Sequence, residues 1–528
     1  MAAVPIIRTC SAALALVLSA PAWAQGDPAA YVRARAADAA GSAQAAAQGY
    51  ARALAAAPDD QIVAMRAYRQ ALTVGDYSLA SRAAAVMVRA GMAPPDTAIL
   101  AFAIAVHARN LAGANAAVDR IASGPLDFLA PGLRGWLAYD RGEDAVAQLD
   151  QAKGSALARR YTERHRALLL IASGRSSEAV VALAPSLTAE PDTDLRIDAA
   201  MLLAGSGKRD PARALLAGTD QSLRQLGKAR ASAAFGGSRL FVQLAGDIAG
   251  EDMQALSILL GRAALLLDPE EDRARLLLAE ALSQDGAADL ALGLLGEIGR
   301  DSPVAREAGA ARIGVLQRAG QGEAAAVAAR ALAEGKGASR DGAELYGALL
   351  GDLGRNDEAA AAYGRALGLA GEAGSWKLHY LQGRAYDRAG NWAAALPALR
   401  RAVALAPDEA APLRYLGYAL VLRGEALEEA QQLLERASKL RPEDADISNS
   451  LAWAYYRRGD VARALPLLER AAKADPGGAQ VNEHLGDAYW RLGRRYEARY
   501  AWRAAAIGAE GDATARIAGK LAGGLQSN

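Results

Sequence analysis

Four histidines are the residues best suited to metal binding or acid–base chemistry, and they stand far apart in the chain. They are His107, His165, His379 and His484. None has a second His or Cys at the spacing of a metal site. The only cysteine, Cys10, lies within the first 24 residues. We therefore expect no metal, no cofactor and no catalytic residues, and we expect each histidine to lie on a helix surface or in a groove.

A short glycine-rich segment, Gly205-Ser206-Gly207-Lys208, has part of the pattern of a phosphate-binding loop. Leu202 stands where that pattern requires its first glycine, and Arg209 stands where it requires Ser or Thr. We therefore predict a turn between two helices here.

Two carboxylate clusters could also suggest acid–base or calcium chemistry. They are Glu270-Glu271-Asp272 and Glu443-Asp444-Ala445-Asp446. Both stand at predicted helix starts, where acidic side chains accept hydrogen bonds from free amides and oppose the helix dipole. We interpret both clusters as helix caps.

Composition limits the classes of protein that this chain can belong to. The 528 residues include 60 Lys and Arg against 59 Asp and Glu, for a net charge of +1, and 52 % are hydrophobic. A near-neutral total argues against a nucleic-acid partner, because phosphate binding needs an excess of cations. The length exceeds what one hydrophobic core supports, so we expect several domains or a repeat array.

The N-terminus has the three parts of an export signal. Arg8 precedes an apolar run from Ser11 to Ala20, and Ala22-Trp23-Ala24 forms a small-x-small cleavage site. Cys10 precedes the apolar run, which argues against a lipid anchor. No later apolar run approaches the roughly 20 residues of a spanning helix. We predict cleavage after Ala24 and a periplasmic mature chain without a transmembrane segment.

Prolines and glycines recur through the C-terminal half at a period of 34 or 35 residues. Pro442 and Pro476 are 34 apart, and the glycines at 390, 424, 459 and 493 mark turns between two helical halves. The period defines four units, at 376–409, 410–444, 445–478 and 479–512, each with an apolar stripe at helical spacing.

The last unit carries Leu485-Gly486-x-x-Tyr489, then Gly493, Ala498, Trp502 and Ala505. This order resembles the tetratricopeptide repeat (TPR) family. The resemblance implies an all-α fold, a TPR-type α-solenoid in which antiparallel helix pairs form a right-handed superhelix of about 15 units. The predicted organisation is a signal peptide at 1–24, degenerate TPR-like repeats at 25–237, a well-formed array at 238–512, and a capping helix and tail at 513–528.

In TPR arrays the first helix of each unit lines a concave groove, and the resemblance assigns five of its positions to that surface. Large aromatic residues beside arginines dominate binding energetics at many interfaces. The partner-binding groove predicted in this way comprises Tyr380, Arg384, Arg388, Arg414, Tyr418, Asn449, Trp453, Tyr456, Arg457, Glu483, Asp487, Trp490 and Arg491.

The C-terminal segments Asn449–Tyr456 and Asn482–Arg494 resemble bacterial envelope TPR proteins that act as adaptors for a carboxyl-terminal processing protease. We therefore expect a non-enzymatic periplasmic scaffold or adaptor that binds a protein or peptide segment, such as an envelope protease or cell-wall enzyme, in envelope or cell-wall homeostasis. One alternative is a periplasmic component of a polysaccharide, pilus or protein secretion system. Another is an enzyme with a catalytic domain hidden in 120–240.

Overall fold

The computed structural model describes residues 27–188, 192–219, 221–335, 337–371 and 375–525. Over these residues it contains 30 α-helices, two short 3-10 turns and no β-strand. The all-α solenoid predicted from the repeats is confirmed. The predicted signal peptide, its cleavage site and Cys10 lie outside the described residues. The chain divides into two compact units, Met1–Gln321 and Gly322–Asn528.

The N-terminal unit contains eighteen of the described helices. They are α1 Pro28–Ala39, α2 Ala43–Ala56, α3 Gln61–Val74, α4 Tyr77–Arg89, α5 Thr97–His107, α6 Leu111–Ala122, α7 Ala130–Asp140, α8 Ala145–Leu149, α9 Ala156–Ala172, α10 Ser176–Thr188, α11 Thr193–Gly205, α12 Arg209–Leu215, α13 Leu223–Leu226, α14 Ala233–Asp247, α15 Gln254–Leu267, α16 Asp272–Gln284, α17 Ala288–Glu297 and α18 Ala305–Arg318. The predicted change of repeat quality after residue 237 falls inside α14.

The C-terminal unit contains twelve of the described helices. They are α19 Gly322–Glu334, α20 Arg340–Asp352, α21 Asn356–Ala370, α22 Trp376–Arg388, α23 Trp392–Leu405, α24 Ala410–Arg423, α25 Leu427–Leu440, α26 Ala445–Arg457, α27 Val461–Ala474, α28 Ala479–Arg491, α29 Arg495–Ile507 and α30 Asp512–Gly523. Helices α22 to α29 form four antiparallel pairs that correspond to the four predicted units.

Helix ends follow the capping chemistry read from the sequence. Asp444 accepts a hydrogen bond from the Ile447 amide at 3.0 Å, and Glu271 accepts one from the Arg273 amide at 3.2 Å. Both carboxylate clusters therefore act as helix caps, as predicted. The segment from Gly205 to Lys208 forms the end of α11 and the turn to α12, also as predicted, and Lys208 Nζ donates to Ser176 Oγ at 2.7 Å.

Close helix crossings explain the small residues of the repeat pattern. A Cβ at Gly486 would lie 2.3 Å from the Trp502 ring, and a Cβ at Gly417 would lie 2.7 Å from Leu434 Cγ. The first helix of a pair thus uses glycine where a large side chain of the second helix lies against its backbone. The pairs α24–α25 and α28–α29 depend on this contact.

The N-terminal unit departs from a linear array, in which each repeat contacts only its neighbours. Helices α3 and α5 pack against α15. Phe102 of α5 meets Phe241 of α14 edge to face, with ring centroids 6.0 Å apart. The Trp136 ring of α7 lies where a Cβ at Gly236 would be, 2.1 Å from two ring atoms. The glycines at 236 and 237 leave room for the rings of Trp136 and Phe102.

A buried ion cluster holds α11, α14 and the start of α16 together. The guanidinium of Arg239, only 6 % exposed, bonds Asp198 at 3.2 Å and Glu271 at 2.8 Å, and it also contacts Asp268. Burial raises the pKa of Glu271, and Arg239 opposes that shift. Removal of the arginine would leave Glu271 without its cation and Asp198 with only the longer contact to Arg164, at 3.4 Å.

Candidate partner-binding groove

Helices α22, α24, α26 and α28, the first helix of each pair, carry the predicted groove residues. The five aromatic residues predicted there are all partly exposed: Tyr380, Tyr418, Trp453, Tyr456 and Trp490. The arginines at 388, 457 and 491 are exposed, and those at 384 and 414 are partly exposed. Asn449, Glu483 and Asp487 are buried, with 5 %, 5 % and 4 % of their surface exposed.

Three parallel rings form the centre of this surface. Trp453 stacks on Tyr456 with centroids 4.6 Å apart and on His484 with centroids 3.8 Å apart, and both interplanar angles are 7°. Tyr456 lies one turn from Trp453 on α26, whereas His484 belongs to α28. The stack therefore ties two repeats together and leaves its Tyr456 end partly exposed.

His484 is buried, and this corrects the expectation that it lies on the surface or in the groove. Its Nδ1 lies 2.9 Å from Asn449 Oδ1. Burial lowers the pKa of His484 to about 3, so its ring is neutral at pH 7 and Nδ1–H donates to the amide oxygen. Asn449 is therefore occupied in holding the histidine and is not available to a partner.

His165 departs from the same expectation, since it lies in the core of the N-terminal unit. It is fully buried, and its Nδ1 accepts a hydrogen bond from Trp136 Nε1 at 2.9 Å. Burial lowers its pKa to about 3. Nowhere in the described residues do three His, Asp or Glu side chains come together as a set of metal ligands.

An aromatic and cationic cluster lies between α22 and α24. The guanidinium carbon of Arg384 is 5.3 Å from the centroid of Tyr380 and 5.5 Å from that of Tyr415. These two tyrosines meet edge to face at 5.8 Å. Tyr415 was missed because its register position is not one that the family assigns to the groove. Tyr415 is part of this cluster because of its contacts with the neighbouring helix α22, where its hydroxyl donates to Asp387 Oδ2 at 2.8 Å.

Tyr418 lies one turn beyond Tyr415 on α24. Its hydroxyl is enclosed. Burial raises its pKa to about 12, and the negative charge of Glu483 adds to that shift. Groups from the second and fourth of the four units therefore lie near each other here.

Glu483 and Asp487 do not belong to an open groove, which is a second correction. Helix α30 covers them. Arg516 donates to both oxygens of Glu483, at 2.8 and 2.9 Å, and Lys520 bridges Glu483 at 2.6 Å and Asp487 at 2.7 Å. Burial alone would raise the pKa of Glu483, but the two cations hold it at about 2.

The same end of the unit encloses one side of Trp490. Its ring lies 5.2 Å from that of Trp502, and the guanidinium carbon of Arg495 lies 3.7 Å from its centroid. The backbone of Gly524 packs against it so closely that a Cβ there would lie 1.8 Å from the Trp490 ring. Trp490 therefore helps to close the last repeat rather than to line the open part of the groove.

The open part of the groove is cationic. Arg388, Arg414 and Arg457 form no ion pair with any of the described carboxylates. Asp387, the nearest acid in α22, is held by Tyr415 and Arg423. Aromatic rings beside unpaired guanidinium groups bind carboxylates and apolar side chains well.

Several known proteins are similar to this chain. A TPR repeat-containing protein of Pseudomonas aeruginosa is 42 % identical over 66 residues, which are 12 % of this chain and 11 % of that protein. A thermophilic TPR protein of Thermus thermophilus is 24 % identical, with 35 % of this chain and all of that chain covered and a TM-score of 0.30. The Pseudomonas aeruginosa pilF protein is 20 % identical, with 35 % and 85 % covered and a TM-score of 0.30.

A structure of the APC/C hetero-tetramer Cut9–Hcn1 is 14 % identical, with 94 % of this chain and 96 % of that chain covered and a TM-score of 0.36. No helix in the described residues is both long enough and apolar enough to cross a membrane.

The family model of the tetratricopeptide repeat matches four overlapping stretches, 347–410, 380–445, 423–479 and 449–515. These stretches contain the helices that carry the groove. Proteins with such repeats bind protein partners and act as interaction scaffolds. Residues 347–515 of this chain therefore consist of tetratricopeptide repeats.

Proposed function

We propose that the protein is a non-enzymatic periplasmic scaffold or adaptor that binds a segment of another protein in the groove of residues 376–512. The observation that carries the proposal is the row of unpaired arginines beside partly exposed aromatic rings on α22, α24 and α26. Stacked repeats present such a surface without any catalytic group.

The composition of the open groove indicates the chemistry of the bound segment. Arg388, Arg414 and Arg457 would pair with carboxylates, because a guanidinium group binds them through two parallel hydrogen bonds. Tyr380 and Tyr456 would cover apolar side chains at low entropic cost, since each has only two side-chain torsions to fix. We therefore propose an acidic segment that also carries apolar residues.

The export signal read from residues 1–24 supports a periplasmic location, and the C-terminal motifs support a partner of the envelope. We propose an envelope protease or a cell-wall enzyme as the partner class, with a role in envelope homeostasis. The repeats would hold this partner in place and perform no chemistry on it.

The test is capture of partners from periplasmic extract by the full mature chain, followed by crosslinking and mass spectrometry. Arg388→Gln/Arg414→Gln should abolish capture of an acidic partner. The matched control Arg306→Gln/Arg312→Gln removes two exposed arginines of α18 and should leave capture unchanged. Capture that survives the groove variant and is lost only with changes elsewhere would disprove the groove as the binding surface.

A further inference from the structure

The outer faces of α27 and α29 carry cations that no carboxylate neutralises. Arg470 and Lys473 of α27, and Arg499 and Arg503 of α29, are exposed, and none of the four forms an ion pair with a described residue. The three arginines of α29, including Arg495, are four residues apart along the helix and so project from one side of it.

The acids of these two helices are already engaged. Glu497 accepts from Arg494 Nε at 3.0 Å. Glu469 accepts from the Tyr489 hydroxyl at 2.8 Å and lies 3.6 Å from Arg494. Asp512, which follows α29, begins α30 and lies close enough to Arg516 to raise its pKa. The positive charge of the outer face is therefore not cancelled from within its own helices.

Large aromatic and apolar side chains lie among these cations. Tyr496 is 72 % exposed and Tyr500 is 55 % exposed, with their hydroxyl oxygens 3.3 Å apart. Ile507, at the end of the same helix, is 89 % exposed. Tyrosine is enriched where membranes meet water, because its ring is apolar and its hydroxyl is polar. Arginines beside such residues are typical of helices that lie on a bilayer surface.

We propose that this basic aromatic face docks on the surface of an anionic lipid bilayer. The face consists of Arg470, Lys473, Tyr496, Arg499, Tyr500, Arg503 and Ile507. It is independent of the partner groove, because it lies on the second helices of the last two pairs, whereas the groove lies on the first helices.

A lipid surface suits this face better than a peptide does. The cations and rings stand on the outer sides of helices, where they are exposed, and not in a groove that could bury peptide side chains. A bilayer offers many negative headgroups at one level, so it can contact the whole row at once. Each arginine near such a surface adds to the attraction, which salt screens.

The experiment is vesicle flotation with the full mature chain. The vesicles are phosphatidylcholine alone, or phosphatidylcholine with about 30 % phosphatidylglycerol, at low salt and again at about 300 mM NaCl. We expect the protein to float with the anionic vesicles at low salt only. Arg499→Gln/Arg503→Gln should lower the bound fraction about tenfold or more, and Tyr496→Ser/Tyr500→Ser should also lower it.

The matched control is Arg306→Gln/Arg312→Gln, which removes the same charge from α18 and should float like the unchanged protein. Circular dichroism of each variant checks that the fold is intact. The proposal is overturned if the unchanged protein fails to float with anionic vesicles, or if the α29 variants float as well as the control.

A dimer that forms without vesicle binding and dissociates in the α29 variants, measured by sedimentation velocity, would assign the face to a second copy and overturn the proposal. Binding of the face to an acidic protein in the absence of vesicle binding would overturn it in the same way.

Discussion

The guanidinium group of Arg262 donates from Nε to the carbonyl oxygen of Leu72 at 2.8 Å, although the two residues are 190 positions apart. Its NH2 group also donates to the carbonyl of Thr73, and the Tyr77 hydroxyl donates to the Arg262 carbonyl at 2.9 Å. Arg262 therefore caps the C-terminal end of α3 from within α15. This contact closes the N-terminal unit on itself.

Replacement of this arginine should destabilise the N-terminal unit more than loss of a surface pair does. Arg262→Met leaves two carbonyls at the end of α3 without their charged donor, which we expect to cost about 2 to 4 kcal/mol of unfolding free energy. Amide hydrogen exchange in α3 and α15 measures the loss. The control Arg69→Met breaks an exposed ion pair with Asp285 and should cost less than about 1 kcal/mol. Equal protection in both variants would contradict the closing role of Arg262.

The buried histidines make stability depend on pH. His165 and His484 each have a folded-state pKa of about 3, below the ordinary value of 6.5, because burial disfavours their charged form. Between these values the unfolded chain binds more protons than the folded one. The unfolding free energy is therefore unaffected by these histidines above about pH 6.5. As the pH falls below that value, each histidine lowers the unfolding free energy by at most about 1.4 kcal/mol per pH unit.

Urea unfolding at a series of pH values between 7 and 5 tests this dependence. His484→Gln should reduce the slope of stability against pH, because glutamine does not titrate. A slope that persists in the double variant His165→Gln/His484→Gln would have to come from other groups.

Local pattern was sufficient to predict the helix pairs, because the spacing of apolar and small residues reports which helix faces pack together. Gly486, a residue of the repeat motif, lies where Trp502 crosses α28, and Gly417 lies against Leu434 in the same way. Contacts between distant repeats were not predictable in this way. Nothing near Leu72 in the sequence indicates that Arg262 will cap its helix.

The repeat register also limits how much of the groove can be predicted from the sequence. Register predicts Tyr380, Trp453 and Tyr456 on the groove side of their helices, and all three are partly exposed, but register does not report what covers a residue. Glu483 has the register of a groove residue, yet α30, which lies outside the 34-residue period, brings Arg516 onto it. Exposure depends on the neighbouring element, and a repeat motif carries no information about that element.

The closing contact made by α30 should stabilise the last repeat alone. Lys520→Met leaves Glu483 with Arg516 as its only cation and Asp487 with only the Trp502 indole as a donor. We expect a cost of about 2 kcal/mol or more, because two buried carboxylates lose a shared cation. Faster hydrogen exchange should appear in α28 and α29, with α22 to α25 unchanged, since repeats interact chiefly with their neighbours. Lys377→Met, which breaks an exposed pair with Glu344, is the control. Loss of protection throughout the unit would contradict a nearest-neighbour array.

Export is predicted from the sequence and can be measured directly. Cleavage after Ala24 should give a mature chain that begins at Gln25 and contains no cysteine. Intact-mass spectrometry of the protein from a periplasmic fraction provides the test. A chain that retains Met1, or that carries a lipid on Cys10, would contradict the prediction.

The ring stack distinguishes binding from stability within one helix of the groove. Tyr456 is the partly exposed ring at the end of the stack. Tyr456→Ala should therefore weaken partner binding by about 2 kcal/mol at little cost in stability. Trp453 lies between Tyr456 and the buried His484, so Trp453→Ala should lower both binding and stability, because it also leaves a cavity beside the histidine.

Tyr455 is buried, and its hydroxyl donates to Glu435 at 2.9 Å. Tyr455→Phe should therefore lower stability slightly and leave binding unchanged. Calorimetric titration with the captured partner measures binding, and urea unfolding measures stability. If Tyr456→Ala binds the partner as tightly as the unchanged chain does, the ring stack is not part of the binding surface.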